Sequence, residues 1–528
     1  MFKSLSWRAS TNPKAEAHGF IRFLLLCALL YMALFTPTLI LQRWSYQGDL
    51  SVAAVAAILV TSTVLSASIF AALALSRVLF TVMVPMLFVT SALAFYFAFT
   101  VNIVITTGMV AALFETSVEE ALGVTGKELV GWLVVNLLIG ILVVRRFRAV
   151  SYPGKFKIAQ MLFVLTALVP LLRVYENPIY YFPMNFVGKT YSYLSNRVGS
   201  GPIPIKKNKD RYDFSRDVLT FKSAEDITVV LVIGESARAD HFGINGYSRD
   251  TTPELAKVAG LLSFRNTVSC GVETREALPC MLTRATLADR APAANEKSVT
   301  SVFNRLGFHT AWISNQDTDS GTRGPLPALA KEASTVVLKE RKDILDLRNY
   351  DEDLLPQLDR VLRANISHKF IVVHPMGSHW PYTNRYTKAY ERYTPVCTGR
   401  TSKWCGHQSI INAYDNSILY TDAFLSQIIR RLAGENALFV YISDHGESLG
   451  ENGRYLHGHE GERVETHVPF IVWASEKFLA NPQWQKKYDH ARAHLAAPLS
   501  HDYLFHSLLD CIGVESTIVD RHLSLCQP

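Results

Sequence analysis

The sequence predicts an α/β protein in two parts: an N-terminal five-helix transmembrane domain, then an α/β domain with a mainly parallel sheet. Three observations carry this. The first third of the chain holds long runs without charge; from residue 225 apolar strand patterns alternate with helical ones; and two strand patterns end abruptly in acids. At 528 residues and 49% hydrophobic side chains, the chain has ample material for more than one domain.

Residues 23–42, 51–76 and 78–100 carry no charged side chain. Each is long enough to cross about 30 Å of hydrocarbon. Residues 129–144 and 158–172 are shorter, but basic residues flank them, and they complete a set of five spans. Positive loops stay cytoplasmic. Lys3, Arg8, Lys14 and Arg22 precede the first span, Arg77 separates the second and third, and Arg145, Arg146, Arg148, Lys155 and Lys157 separate the fourth and fifth. The opposite loops carry only Arg43 and Lys127, against Asp49, Glu115, Glu119, Glu120 and Glu128. Five spans that start inside finish outside, so the chain after about residue 174 is expected on the periplasmic or extracellular face. The first run lacks a small-x-small cleavage site and is read as retained. The loop 101–128 is amphipathic and reads as a connection that can return to the membrane surface.

This topology also explains the charge. Of 53 basic and 46 acidic residues, 13 and 6 fall in residues 1–173, which leaves 40 of each sign in the remainder. The exported part is formally neutral, and nucleic-acid binding loses its main support.

The expected organisation is therefore a transmembrane domain over 1–174, a bridging linker over 175–222 and a periplasmic domain over 223–528. In the linker, Tyr180, Tyr181, Phe182, Tyr191 and Tyr193 suit the membrane interface as well as they suit packing against the soluble domain. Beyond it, strands are expected at 227–233, 262–268, 308–314, 369–374, 437–443 and 467–473, with helices at 298–306, 351–364 and 412–432. Apolar strands in such alternation imply a sheet covered on both faces.

Cys27 lies in the first span and reads as a packing residue. The other six cysteines are in the exported part, where oxidation is permitted. Six cysteines allow 15 connectivities. Their grouping in close pairs favours Cys270–Cys280, Cys397–Cys405 and Cys511–Cys526, and no Cys-x-x-Cys spacing supports a zinc knuckle.

The strand Ile227–Ile233 stops at Gly234-Glu235-Ser236-Ala237-Arg238, and Ala437–Ser443 stops at Asp444-His445-Gly446-Glu447-Ser448. Ligands of open α/β sheets bind at that carboxyl edge. Side by side, the two strands would bring Glu235, Asp444 and His445 together, an oxygen and nitrogen set that suits zinc. His374, His379 and His457 add to the set. By contrast, His241, His309, His368, His459 and His467 read as packing or surface histidines, and Glu447 as a support for His445 or a cap for the following helix.

Several motifs together resemble one family. They are Gly234-Glu-Ser-Ala-Arg238, Asn245-Gly-Tyr-Ser-Arg-Asp-Thr-Thr-Pro253, Cys270-Gly-Val-Glu-Thr274 with Pro279-Cys280-Met281, His374-Pro-Met-Gly-Ser-His379, Ser443-Asp-His-Gly-Glu-Ser448 and the tail His501-Asp-Tyr-Leu-Phe-His-Ser-Leu-Leu509. The chain resembles the membrane-bound phosphoethanolamine transferases of Gram-negative bacteria, the group that includes the polymyxin-resistance enzymes. The resemblance implies an alkaline-phosphatase-like catalytic domain in the inner membrane's periplasmic space. It implies a Zn2+ site of Glu235, Thr274, Asp444 and His445, with Thr274 the nucleophile, and places His379 and His457 where substrate phosphate or a second metal binds. The implied reaction takes phosphoethanolamine from phosphatidylethanolamine to lipopolysaccharide and releases diacylglycerol. Val272 replaces the family's usual first threonine, and the loop Asn315–Gly324 lacks the cysteines many members carry. The segment from Tyr382-Thr-Asn-Arg-Tyr386 through Tyr414-Asp-Asn-Ser417 is closer to members that modify Kdo, so lipid A phosphate, Kdo and a periplasmic glycan all stay open as acceptor.

Three other readings compete. Gly234–Arg238 resembles a hydrolase nucleophile elbow with Ser236 as nucleophile, except that Arg238 stands where glycine is required. A sulfatase would need Cys- or Ser-x-Pro-x-Arg, which is absent. A sensor that has lost its chemistry would not need Glu235, Thr274, Asp444 and His445 intact.

Overall fold

The computed structural model describes residues 13–47, 51–101, 110, 126–147, 190–191, 210–223, 225–316, 325–339, 348–399, 402 and 405–527. The chain divides into two compact units. The first holds α1 (Pro13–Gln47), α2 (Val52–Leu73), α3 (Arg77–Val101) and α4 (Lys127–Phe147). Among the described residues, these are four helices long and apolar enough to cross a membrane. The expected fifth span, 158–172, and most of the linker 175–222 lie outside the described residues. At 1.5 Å per residue, the 22 residues of α2 extend about 33 Å, enough for a hydrocarbon core. Ser51 starts α2 by accepting the Ala54 N–H at 3.2 Å.

Two contacts fix α3 against α4. Trp132 Nε1 donates to the Ala92 carbonyl at 3.1 Å. A Cβ at Gly140 would stand 2.7 Å from Pro85 Cα, so only glycine admits that approach. Inside the unit, Tyr31, Phe35, Phe70, Phe80 and Phe88 are buried, whereas Leu26, Val60, Val78 and Leu142 face outward. An apolar exterior over an aromatic interior suits lipid as the surrounding solvent.

The second unit is built on strands β1 (Ile227–Gly234), β2 (Leu262–Val268), β3 (His309–Ser314), β4 (Thr335–Leu338), β5 (His368–His374), β6 (Ala437–Ser443), β7 (Ser448–Leu449), β8 (Tyr455–Leu456), β9 (His467–Ala474) and β10 (Leu499–Ser500). Among the described residues, eight form one sheet in the order β10-β2-β9-β6-β1-β5-β3-β4, and β7 pairs with β8 alone. The helices used below are α5 (Thr274–Met281), α6 (Val299–Arg305), α7 (Leu355–Leu362), α8 (His407–Leu432), α9 (Pro482–Ala493) and α10 (Asp502–Asp510).

Central β1 explains the arrangement. All eight of its residues are buried. Alternation sends Val229, Leu231 and Ile233 into one core with Phe303 of α6 and Leu504 of α10, and Val230 and Val232 into another with Ile418 and Leu425 of α8. Each such side chain contributes about 1.5–3 kcal/mol of burial. A strand wetted on neither face has no position that water would solvate, which is why its sequence, Thr228 apart, reads as one apolar run.

Two features escape the sequence pattern. β4 is a four-residue edge strand with partly exposed side chains, too short and too mixed for periodicity to mark. β9 runs antiparallel to both β2 and β6, although apolar alternation carries no information on direction. The expected helix at 412–432 also starts earlier, at His407.

Under the sheet, His506 accepts the Asp520 N–H through Nδ1 at 3.0 Å. Burial depresses its pKa to about 4. An unfolded imidazole titrates near 6.5, so between those values the unfolded chain binds the extra proton. This contribution to stability is therefore whole above about pH 6.5 and declines as the pH falls toward the folded value, by up to about 1.4 kcal/mol per pH unit. We expect acidification below pH 6.5 to lower the urea midpoint of the second unit, and His506→Asn to flatten that dependence.

Candidate active site

The site is assembled at the carboxyl edge of the sheet. β1 and β6 are parallel neighbours in register, with Gly234 opposite Ser443. The next residues, Glu235 and Asp444, therefore leave the sheet side by side, and the Asp444 N–H donates to the Gly234 carbonyl at 3.0 Å. Gly234 itself must lack a side chain, because a Cβ there would lie 2.5 Å from the Tyr441 hydroxyl. On the other flank, β5 delivers the turn from His374 to His379. Gly377, at φ +50°, fits against the Glu235 backbone, and the Ser378 N–H donates to the Glu235 carbonyl at 3.0 Å. Asp351 builds this turn by accepting the N–H groups of Met376 at 2.7 Å and Gly377 at 2.9 Å.

Thr274 opens α5, whose first turn presents the positive end of the helix dipole, a favourable place for an anion. Its hydroxyl donates to Glu235 Oε2 at 3.0 Å and lies 3.3 Å from His445 Nε2. His445 Nε2 is 3.3 Å from Glu235 Oε1 and 3.5 Å from Asp444 Oδ2. Its other nitrogen, Nδ1, donates to the Gly446 carbonyl at 2.8 Å. That bond fixes Nδ1 as a donor, so loss of the Nε2 proton turns a lone pair toward the carboxylates, the second-nitrogen arrangement usual for metal-binding histidines.

The electrostatics are those of a site short of positive charge. Glu235, Asp444 and His445 are all buried. Burial, then the neighbouring Glu235 charge, pushes the Asp444 carboxyl up to about 7. Burial works against ionised Glu235, yet His445 outweighs it and holds the carboxyl well below its usual range. His445 moves oppositely: burial lowers its pKa, and the Asp444 and Glu235 charges more than reverse that. Asp444 Oδ2 accepts no hydrogen bond of good geometry among the described residues. A buried carboxylate oxygen left over in this way fits a cation. Ligand atoms of Glu235, Asp444 and His445 all lie within 4.8 Å of one another. With Thr274, this oxygen and nitrogen set fits zinc.

His379 and His457 line the same place. Their rings are 6.1 Å apart, and His457 is 4.2 Å from His445, centroid to centroid. His379 Nδ1 donates to the Trp380 carbonyl at 2.7 Å, and His457 Nδ1 lies 2.8 Å from Glu447 Oε2. Burial, opposed by Glu235, takes His379 down to about 4. Burial and His445 oppose protonation of His457, but the Glu447 carboxylate prevails and its pKa is raised. His445, Glu447 and His457 form a second group able to hold a cation.

Glu447 thus differs from the expected support of His445 or helix cap. It orients His457 and accepts the Tyr382 hydroxyl at 2.7 Å, because the short β7–β8 hairpin folds His457 back over it. His374, one of the added histidines, ends β5 fully buried; its Nε2 has no hydrogen bond among the described residues, and the ring packs edge-on to Trp312, 5.9 Å away. Ser236, the alternative nucleophile, donates to Glu235 Oε1 at 2.8 Å instead of to an imidazole. Sequence reasoning missed Gln316, whose amide donates to Glu235 Oε2 at 3.0 Å. Its place two residues past the end of β3, at the ligand edge of the sheet, was the available signal. The three cysteine pairs are Cys270–Cys280, Cys397–Cys405 and Cys511–Cys526, as their spacing favoured.

Gly446 supplies a local test. A Cβ there would stand 2.2 Å from the Val464 carbonyl oxygen, a backbone atom with no room to retreat. Gly446→Ala is expected to cost about 3 kcal/mol or more in a denaturant melt, and to displace His445.

A mainly parallel sheet whose carboxyl edge gathers Glu235, Asp444, His445 and the Thr274 hydroxyl defines the class. Residues 227–514, more than half of the chain, match the sulfatase family, and the chain belongs to it. Residues 63–197 also match a second family model, phosphoethanolamine transferase EptA/EptB. It is 36% identical over 326 residues to the phosphatidylethanolamine transferase Mcr-1 of Escherichia coli, an overlap of 59% of this chain and 59% of that protein's length. The structure is similar to the integral membrane lipooligosaccharide phosphoethanolamine transferase A of Neisseria meningitidis, with a TM-score of 0.81 and 25% identity over 96% of this chain and 98% of that one. It is also similar to the C-terminal periplasmic domain of Escherichia coli EcEptC, solved in complex with Zn, at a TM-score of 0.53 and 25% identity over 59% of this chain and 89% of that one.

Proposed function

We propose that this chain is a zinc-dependent phosphoethanolamine transferase of the bacterial inner membrane, with its catalytic unit in the periplasm. It takes phosphoethanolamine from phosphatidylethanolamine and passes it to lipopolysaccharide, at a lipid A phosphate or at Kdo. The observation that carries this is Thr274 Oγ1, 3.0 Å from Glu235 Oε2 and 3.3 Å from His445 Nε2, at the start of a helix. The similarity to transferases acting on lipooligosaccharide supports the acceptor class.

Glu235, Thr274, Asp444 and His445 would hold Zn2+, which lowers the pKa of a bound hydroxyl and offsets charge on the transferred phosphoryl group. The chain's own residues do the rest. Thr274 Oγ1 attacks the donor phosphorus, and its proton leaves along the hydrogen bond to Glu235 Oε2 and on to water, since a carboxyl held so far below its usual range does not keep it. As the new Oγ1–P bond forms, the bond from phosphorus to the diacylglycerol oxygen breaks. That oxygen takes a proton from His457, which Glu447 keeps protonated. Protonated His457 holds a phosphate oxygen; His379, whose N–H is committed to the Trp380 carbonyl, lines the same place with an Nε2 lone pair suited to a second cation, and the dipole at the start of α5 favours the anion. The acceptor then attacks phosphoethanolamine-Thr274 by the same route in reverse, so the kinetics are ping-pong.

The test is mass spectrometry of the protein after incubation with phosphatidylethanolamine and no acceptor. A phosphoethanolamine adduct on the Thr274 peptide, with matching diacylglycerol release, is expected. Diacylglycerol release with no adduct and free phosphoethanolamine in solution would instead mark a hydrolase. Comparison of lipopolysaccharide from cells with and without the protein would locate the acceptor atom.

A further inference from the structure

We propose that His501 is a positioning residue that clamps the nucleophile loop to the loop bearing Asp444 and His445; this rests on the reading of Thr274 and the cation ligands given above. His501 directly follows β10, and its own N–H donates to the Val268 carbonyl at the end of β2, at 3.0 Å. Its ring spans the gap between two other segments. Nε2 lies 2.9 Å from the Ser443 carbonyl. A carbonyl only accepts, so Nε2 carries the hydrogen and Nδ1 keeps its lone pair. Nδ1 in turn accepts the Cys270 N–H at 3.3 Å.

The two anchored residues are not arbitrary. Ser443 immediately precedes Asp444 and His445. Cys270 stands four residues before Thr274 and is bridged to Cys280 near the far end of α5. The loop and the helix that begins at Thr274 therefore form one closed unit, and the imidazole ties that unit to the end of β6. With the ring 1% exposed, water does not compete for either bond. Thr274 and His445 meet at 3.3 Å, a separation these two loops set between them. A relative slip of about 1 Å would cost on the order of 100-fold in rate.

The experiment uses the full chain in detergent with His501→Phe, His501→Leu and His501→Gln. The readouts are Zn2+ affinity by chelator competition, kcat and KM with phosphatidylethanolamine, and the melting temperature. Both apolar variants remove the two hydrogen bonds, whereas the glutamine amide can donate and accept. The expected result is a folded apolar variant with Zn2+ affinity reduced about 10-fold, kcat down about 100-fold and KM within about twofold, partly restored in His501→Gln. Three outcomes would overturn the assignment. These are a folded apolar variant with near-wild-type Zn2+ affinity and kcat, a glutamine variant no better than phenylalanine, or failure of both apolar variants to fold, which would make His501 a stability residue. Should the wild-type protein form no phosphoethanolamine product, the proposed function fails, while the Zn2+ comparison still decides the clamp.

Discussion

Thr274→Ala is expected to abolish phosphoethanolamine transfer, with kcat falling by about 10³-fold or more, while Glu235, Asp444 and His445 keep zinc content near wild type and the melting temperature stays close to it. The size of the effect follows from the lack of a substitute. Ser236 has a hydroxyl nearby, but it donates to Glu235 Oε1 and stands off the start of α5. Water could reach the phosphorus only as a hydrolytic nucleophile, which yields free phosphoethanolamine instead of transferred product. Stability is spared because Thr274 is partly exposed, so alanine deletes a hydroxyl and a methyl at a position that lies outside the core clusters. Alanine also suits the first turn of a helix. Thr274→Ser should keep measurable transfer, since its hydroxyl reaches the same acceptor. The decisive measurement is labelling with a headgroup-labelled donor; an alanine variant that still acquires label would transfer the role to another atom and end the mechanism.

How much of this was legible beforehand varied with the range of the interaction. Strand ends were readable, because an apolar run that stops in Glu235 or in Asp444-His445 states both burial and edge. The neighbouring of β1 and β6 was a short step from there. The nucleophile was not readable from local chemistry: Thr274 follows a turn and opens an eight-residue helix, and only the resemblance of its motif marked it. Residues that act through partners were invisible. Asp351 serves the turn after β5 through backbone N–H groups, and His501 reaches Cys270 across 231 positions of sequence. No period or spacing encodes such contacts, since they exist only once the sheet has brought distant loops together. Glu447 shows the same limit from the other side. Its nearness in sequence to His445 suggested one partner, and the β7–β8 hairpin supplied another, ten residues on. Motifs locate the edge where chemistry happens; tertiary contacts determine which side chains orient the ones that perform it.

Removal of the cation is expected to be the other large effect. A strong chelator should bring transfer down by about 10³-fold or more, and stoichiometric Zn2+ should restore it. The charges give a further, signed expectation. Without a cation, Asp444 titrates at about 7 because burial and the Glu235 charge disfavour its ionised form. The Asp444 and Glu235 charges also hold a proton on His445 well above the ordinary imidazole range. Zinc requires both groups deprotonated, so binding releases protons and protons compete with it. Affinity must therefore rise with pH, by about tenfold per pH unit for each proton displaced, and the slope between about pH 6 and 7 should lie between one and two. Asp444→Asn removes one of those protons along with one charge. It should weaken Zn2+ by orders of magnitude and reduce the slope toward one, set by His445 alone. Glu235→Gln should lower affinity too. It also lets Asp444 ionise more readily, because the repelling charge is gone, so its slope should flatten from the acidic side. Chelator competition across pH measures all three proteins without reference to turnover. A wild-type affinity that is flat with pH, or unchanged in Asp444→Asn, would mean that the cation sits elsewhere and that the buried Asp444 oxygen has another purpose.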